Sequence, residues 1–168
     1  EILDVFKQIV DTLYNITSKN ILGSSSWIHI WHPGKWYVTS CDFICMISPD
    51  MFDEFVLPEL KEELFWLDAS IFHLDGPGAI KHLDALLEIP ELKGVQWVYG
   101  AGQPTASHWI PLLKKIQDAG KLVHVYFNPD ELDILMEELK PEGVMLATWV
   151  ESEEEAKYLL KKAENYRL

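Results

Sequence analysis

The chain has 168 residues, 48% of them hydrophobic and 12% aromatic with seven Trp, which excludes a disordered tail and leaves enough apolar material for one packed domain. Its formal net charge of −13, from 27 acidic and 14 basic side chains, sets up a field that repels polyanions and argues against nucleic acid as a partner. No apolar stretch reaches the roughly 18 residues of a membrane span, and two cysteines fit a reducing cytoplasm better than a disulfide scaffold.

Glu1 already lies inside a helical pattern, so the sequence reads as a piece of a longer chain. The first strand-like run is residues 26–31 (SWIHIW), ending in His29, Trp31 and a Pro33-Gly34 turn. Cys41, Asp42 and Cys45 follow in a loop, where the thiol spacing is a weak metal signal and ordinary free cysteines are the plainer reading. Ser48-Pro49 pairs an N-cap with a proline at N1 and opens a helix running to about Leu67, kinked or split at Pro58. Further strand-like runs cover residues 70–74 (SIFHL), 94–99 (GVQWVY), 121–127 (KLVHVYF) and 143–149 (GVMLATW). Gly120 reads as a helix stop. Asn128 to Glu131 and Ser152 to Glu155 have capping-box spacing.

Strands that are apolar almost throughout, alternating with helices, predict a parallel α/β sheet covered by helices. In such folds, sites form where the strands end and the loops begin. His73 and Asp75 stand two apart on one predicted strand, so their side chains share a face. An imidazole and a carboxylate so placed can bind a metal or act as an acid–base pair, and they equally describe a histidine steadied by a helix-capping aspartate. His29 with its flanking tryptophans, Gln96, Trp97 and His124 are the remaining candidates for lining a pocket, with aromatic core packing as the alternative for the tryptophans. His82 and His108 fall on predicted helices and read as packing or surface residues.

The segment Ile47-Ser48-Pro49-Asp50-Met51-Phe52-Asp53-Glu54-Phe55-Val56-Leu57-Pro58 resembles a helix opening of the uroporphyrinogen decarboxylase superfamily. Phe72-His73-Leu74-Asp75-Gly76-Pro77-Gly78, His82-Leu83-Asp84-Ala85-Leu86, Ile89-Pro90-Glu91-Leu92, Gly94-Val95-Gln96-Trp97 and Gly100-Ala101-Gly102 resemble a bacterial, decarboxylase-like subgroup of it. The resemblance implies an α/β fold, a parallel (β/α) half barrel holding about the fourth to eighth strands of a TIM-type (β/α)8 barrel. A complete barrel takes about 250 residues.

The superfamily holds both cobalamin-dependent methyltransferases and decarboxylases. In the methyltransferases a His-x-Cys and a later Cys bind zinc; here His73 matches the histidine, Asp75 stands at the cysteine, and Trp149-Val150-Glu151 occupies the later position. A divalent metal (zinc) would then rest on His73, Asp75 and Glu151 or Asp42. The Gly-His-Gly segment of the decarboxylases is absent. Three expectations follow from the resemblance: metal-assisted methyl transfer with a corrinoid protein, decarboxylation of a tetrapyrrole, or a binding barrel without catalysis. Each goes with a cytoplasmic protein, and the exposed strand edges of a half barrel predict a homodimer.

Overall fold

The computed structural model describes residues 1–166. Helix α1 (Ile2–Thr17) is followed by a short antiparallel hairpin, β1 (Ser24–Ser25) and β2 (Trp31–His32). Then come five strands, β3 (Trp36–Ser40), β4 (Ala69–Asp75), β5 (Gly94–Val98), β6 (Leu122–Tyr126) and β7 (Val144–Ala147). They form one sheet in sequential order with every pairing parallel. The connections carry α2 (Pro49–Phe55), α3 (Leu57–Trp66), α4 (Leu83–Leu87), α5 (Ile110–Asp118) and α6 (Leu132–Glu138), and α7 (Glu153–Ala163) follows β7.

Side-chain parity divides the sheet into two unlike faces. Phe72, Leu74, Val95, Trp97, Val123 and Val125 point to one side and form the main core with Phe52, Leu64, Leu86, Leu113 and Leu135 of the helices. The other face carries Trp36, Val38 and Ile71, buried with Ile28 of the hairpin. Helices thus cover one face, and the hairpin segment lies on the other. Sequential parallel strands with helices on a single face are consistent with a parallel half barrel, whereas a doubly wound sheet has helices on both faces.

Local chemistry explains the element ends. Ser48 Oγ accepts from the Met51 backbone N–H, 3.2 Å, with Pro49 at N1. The helix predicted to kink at Pro58 breaks at Val56 into α2 and α3. The Asn128–Glu131 capping box is present in both directions. Ser152 caps α7, whose first turn holds Glu153, Glu154 and Glu155 and whose last holds Lys161 and Lys162, as the helix dipole favours. Gly94 has no alternative: a Cβ there would stand 2.6 Å from Leu122 of the adjacent strand.

The predicted strand at residues 26–31 is a correction. The first strand of the sheet is Trp36–Ser40, after the Pro33-Gly34 turn, and residues 26–30 form the hairpin's loop with His29 at φ +60°. That loop is apolar because it covers the sheet, with Ile28 in the second core cluster.

Among the described residues β3 pairs only with β4, and β7 only with β6. Helix α1 packs Phe6 edge-on against Tyr37 and Trp66, while Ile2, Val5, Ile9, Leu13 and Ile16 are exposed along its outer side. No helix among the described residues is long and apolar enough to cross a membrane.

Candidate functional site

Moving the first strand to residues 36–40 places Asp42 at the carboxyl end of β3, beside the end of β4. Asp42 begins a 3₁₀ turn (Asp42–Met46), and His73 and Asp75 point to the same side of β4. One ligand atom from each of Asp42, His73 and Asp75 lies within 4.8 Å of the other two.

Neighbouring side chains hold this group in place. His73 Nδ1 is 2.7 Å from Gln96 Oε1. An amide oxygen only accepts, so Nδ1 carries the hydrogen and Nε2 keeps its lone pair for a ligand. Trp27 meets the His73 ring edge-on at 5.0 Å. The turn that carries Asp42 is gripped from below: His82 Nε2–H donates to the Ile44 carbonyl at 2.8 Å, and Lys81 Nζ donates to the Cys45 carbonyl at 3.1 Å. His82 itself is buried and stacked on Phe52. Gly76, at φ +75°, turns the chain directly after Asp75, a conformation that glycine adopts without the Cβ penalty.

A polar row crosses the face of the sheet that the hairpin segment covers in part. Register pairs Ser40 with His73, His73 with Gln96, Gln96 with His124 and His124 with Met145. Gln96 is fully buried and His124 is 2% exposed. Gln96 Nε2 and His124 Nδ1 have no hydrogen-bond partner among the described residues. Burial pushes the His124 imidazole down to about 4, so it is neutral at pH 7.

One row nearer the carboxyl ends, Tyr126 meets His124 edge-on and stacks on Trp149 at 4.6 Å. Glu131, buried in the turn after β6, accepts from the Thr105 hydroxyl and from the backbone N–H groups of Ser107 and Asn128. These bonds hold its carboxyl below the usual range against the opposing effect of burial, and they tie the loop after β5 to the loop after β6.

Of the candidates read from sequence, the structure brings together His73, Asp75 and Gln96, with His124 next in the row and Asp42 joining them. Three others are corrected. Trp97 is wholly buried on the helix-covered face, packed edge-on against Trp109, because it neighbours Gln96 on the strand and must point the opposite way. Trp31 belongs to the hairpin and lines a hollow with Trp36, Asp68, Lys93 and Leu122, near where the strands begin. Glu151 follows β7, three strands from β4 and so roughly 14 Å across the sheet; it is not in the Asp42–His73–Asp75 group. His29 is exposed on the hairpin's loop. Cys41 and Cys45 are free thiols outside the group. Tyr126 and Thr148 went unread as lining residues, although the ends of β6 and β7 are where a parallel sheet places such groups.

Comparison with protein-family models, with curated proteins and with solved structures finds no match. Fold and site together define a parallel α/β chain with its helices on one face and a compact carboxylate–imidazole group at the strands' carboxyl ends.

Proposed function

We propose that this chain forms the later strands of a barrel enzyme of the uroporphyrinogen decarboxylase type, and that its reaction is metal-assisted methyl transfer linked to a corrinoid. The observation that carries this reading is the Asp42, His73 and Asp75 group, with His73 oriented by Gln96 so that its free lone pair is available. Two carboxylates and one imidazole are a harder donor set than thiolates. They fit zinc, cobalt or manganese and leave further coordination positions open for substrate.

A bound divalent cation would supply Lewis-acid activation of the methyl donor or acceptor. The chain's own residues do the rest: Gln96 fixes the His73 tautomer, His82 and Lys81 hold the turn that presents Asp42, and Trp27 packs edge-on against the imidazole. The setting we propose is cytoplasmic.

Metal binding to the native state should raise the melting temperature. Zinc, cobalt or manganese at about a hundred times its dissociation constant stabilises by about 2.7 kcal/mol. For a domain of this size that is a rise of roughly 5–10 °C. His73→Ala and Asp75→Ala should each abolish the rise. A melting curve indifferent to all three metals would overturn the metal reading and leave His73 and Asp75 as an acid–base pair or a structural one, with a decarboxylase-like lyase of tetrapyrroles as the alternative reaction.

We further propose that the chain forms a homodimer covering the open edges of β3 and β7 and the apolar outer side of α1. Light scattering at tens of micromolar should report twice the chain mass. A monodisperse monomer would contradict it.

A further inference from the structure

We propose that the hollow between residues 26–30 and strands β6 and β7 is a binding subsite for the uncharged, planar ring of a ligand that offers one hydrogen-bonding group to His124. The hollow has a volume of about 280 Å³, and its walls include Ile28, His29, His124, Tyr126, Thr148 and Trp149. No Asp, Glu, Lys or Arg lines it.

Three features of the hollow suit a ligand. His124 lies in its wall, almost wholly buried, and its Nδ1 has no hydrogen-bond partner among the described residues, as is also true of several other buried polar atoms. The stacked Tyr126–Trp149 pair forms an aromatic wall, and Trp149 is 73% exposed, so a flat ring can lie against it. The cover is a loop rather than a regular element, ending in a turn in which the His29 N–H donates to the Ser26 carbonyl.

The charge of the ligand follows from the walls. An anion would find no lysine or arginine to pair with; of the two histidines in the lining, His124 is kept neutral by burial and His29 is exposed to solvent, where any pairing is weak. A cation would find no carboxylate. Either would lose its hydration for nothing, whereas a neutral ring loses little. His124 stands two strands from His73, about 10 Å across the sheet. Only a ligand about that long could reach from the ring subsite to the Asp42–His73–Asp75 group. The catalytic meaning of the subsite rests on the function proposed above; ring binding itself does not.

The test uses the full chain in the presence of EDTA, with 2-naphthol as the neutral probe, 2-naphthoate as the anion and 2-naphthylmethylammonium as the cation, followed by calorimetry. 2-Naphthol should bind saturably, about tenfold or more tighter than either ion. His124→Phe, which keeps a flat ring and removes both nitrogens, should weaken naphthol about fivefold. Trp149→Ala, at an exposed position, should weaken it as well, so the conclusion does not hang on one buried substitution. Asp75→Ala should leave naphthol binding intact while abolishing the metal-induced rise in melting temperature. The subsite is overturned if naphthol fails to saturate, if an ion binds as tightly, or if both His124→Phe and Trp149→Ala bind like the wild type. A wild-type chain that binds naphthol but shows no metal-induced rise in melting temperature would overturn the metal reading alone.

Discussion

Trp97→Ala is expected to cost about 3–5 kcal/mol of stability and to leave the metal response at His73 unchanged. Trp97 heads the largest fully buried side chains of the chain, at the centre of the cluster that joins the sheet to the helices. Its ring meets Trp109 at 4.9 Å, so truncation empties a volume that two elements now share. The indole nitrogen has no partner among the described residues, so no hydrogen bond is lost and the cost is one of packing. Because domains are typically stable by only 5–15 kcal/mol, the alanine variant risks unfolding. Trp97→Phe is the milder companion and should show a smaller loss of the same kind. Urea unfolding measures both. A cost under about 1 kcal/mol, or a lost metal response in folded Trp97→Phe, would return Trp97 to the site.

That contrast between Gln96 and Trp97 shows how far the sequence could be read. The strands at β4, β5, β6 and β7 were legible because a parallel strand buried on both faces is an unbroken apolar run. The same property hides which face each residue takes. Adjacent strand residues point opposite ways, so Gln96 and Trp97 cannot both line one face; the register of β4 with β5 decides, setting Gln96 beside His73 and Trp97 beside Leu74. The first strand failed for a different reason. Residues 26–31 carry the apolar content of a strand because Ile28 covers the sheet from outside. Trp36-Tyr37-Val38-Thr39 had the aromatic and β-branched character of a strand directly after a Pro-Gly turn, which was the usable signal. With that strand misplaced, Asp42 could be named as a ligand only beside Glu151. The parallel pairing of β3 with β4 is what separates the two.

His124 should make the native state acid-sensitive in a window that no carboxylate explains. Its folded pKa is lowered from 6.5 to about 4 by burial, so as the pH falls the unfolded chain takes up the proton first. The contribution is therefore fully present above pH 6.5, is lost progressively from 6.5 towards 4, and stays lost below that. At about 1.4 kcal/mol per pKa unit, the ceiling is about 3 kcal/mol, most of it gone by pH 4.5. Glu131 acts with the same sign but lower: its carboxyl is held below the usual range, so its contribution is lost only as the pH drops under about 4.5. Denaturant unfolding at pH 7 and at pH 4.5 separates the two groups. Wild type should lose roughly 2–3 kcal/mol more between these pH values than His124→Phe, which has no proton to gain. Equal losses in the two proteins would mean that burial does not lower the His124 pKa and that the native state holds the proton at pH 4.5.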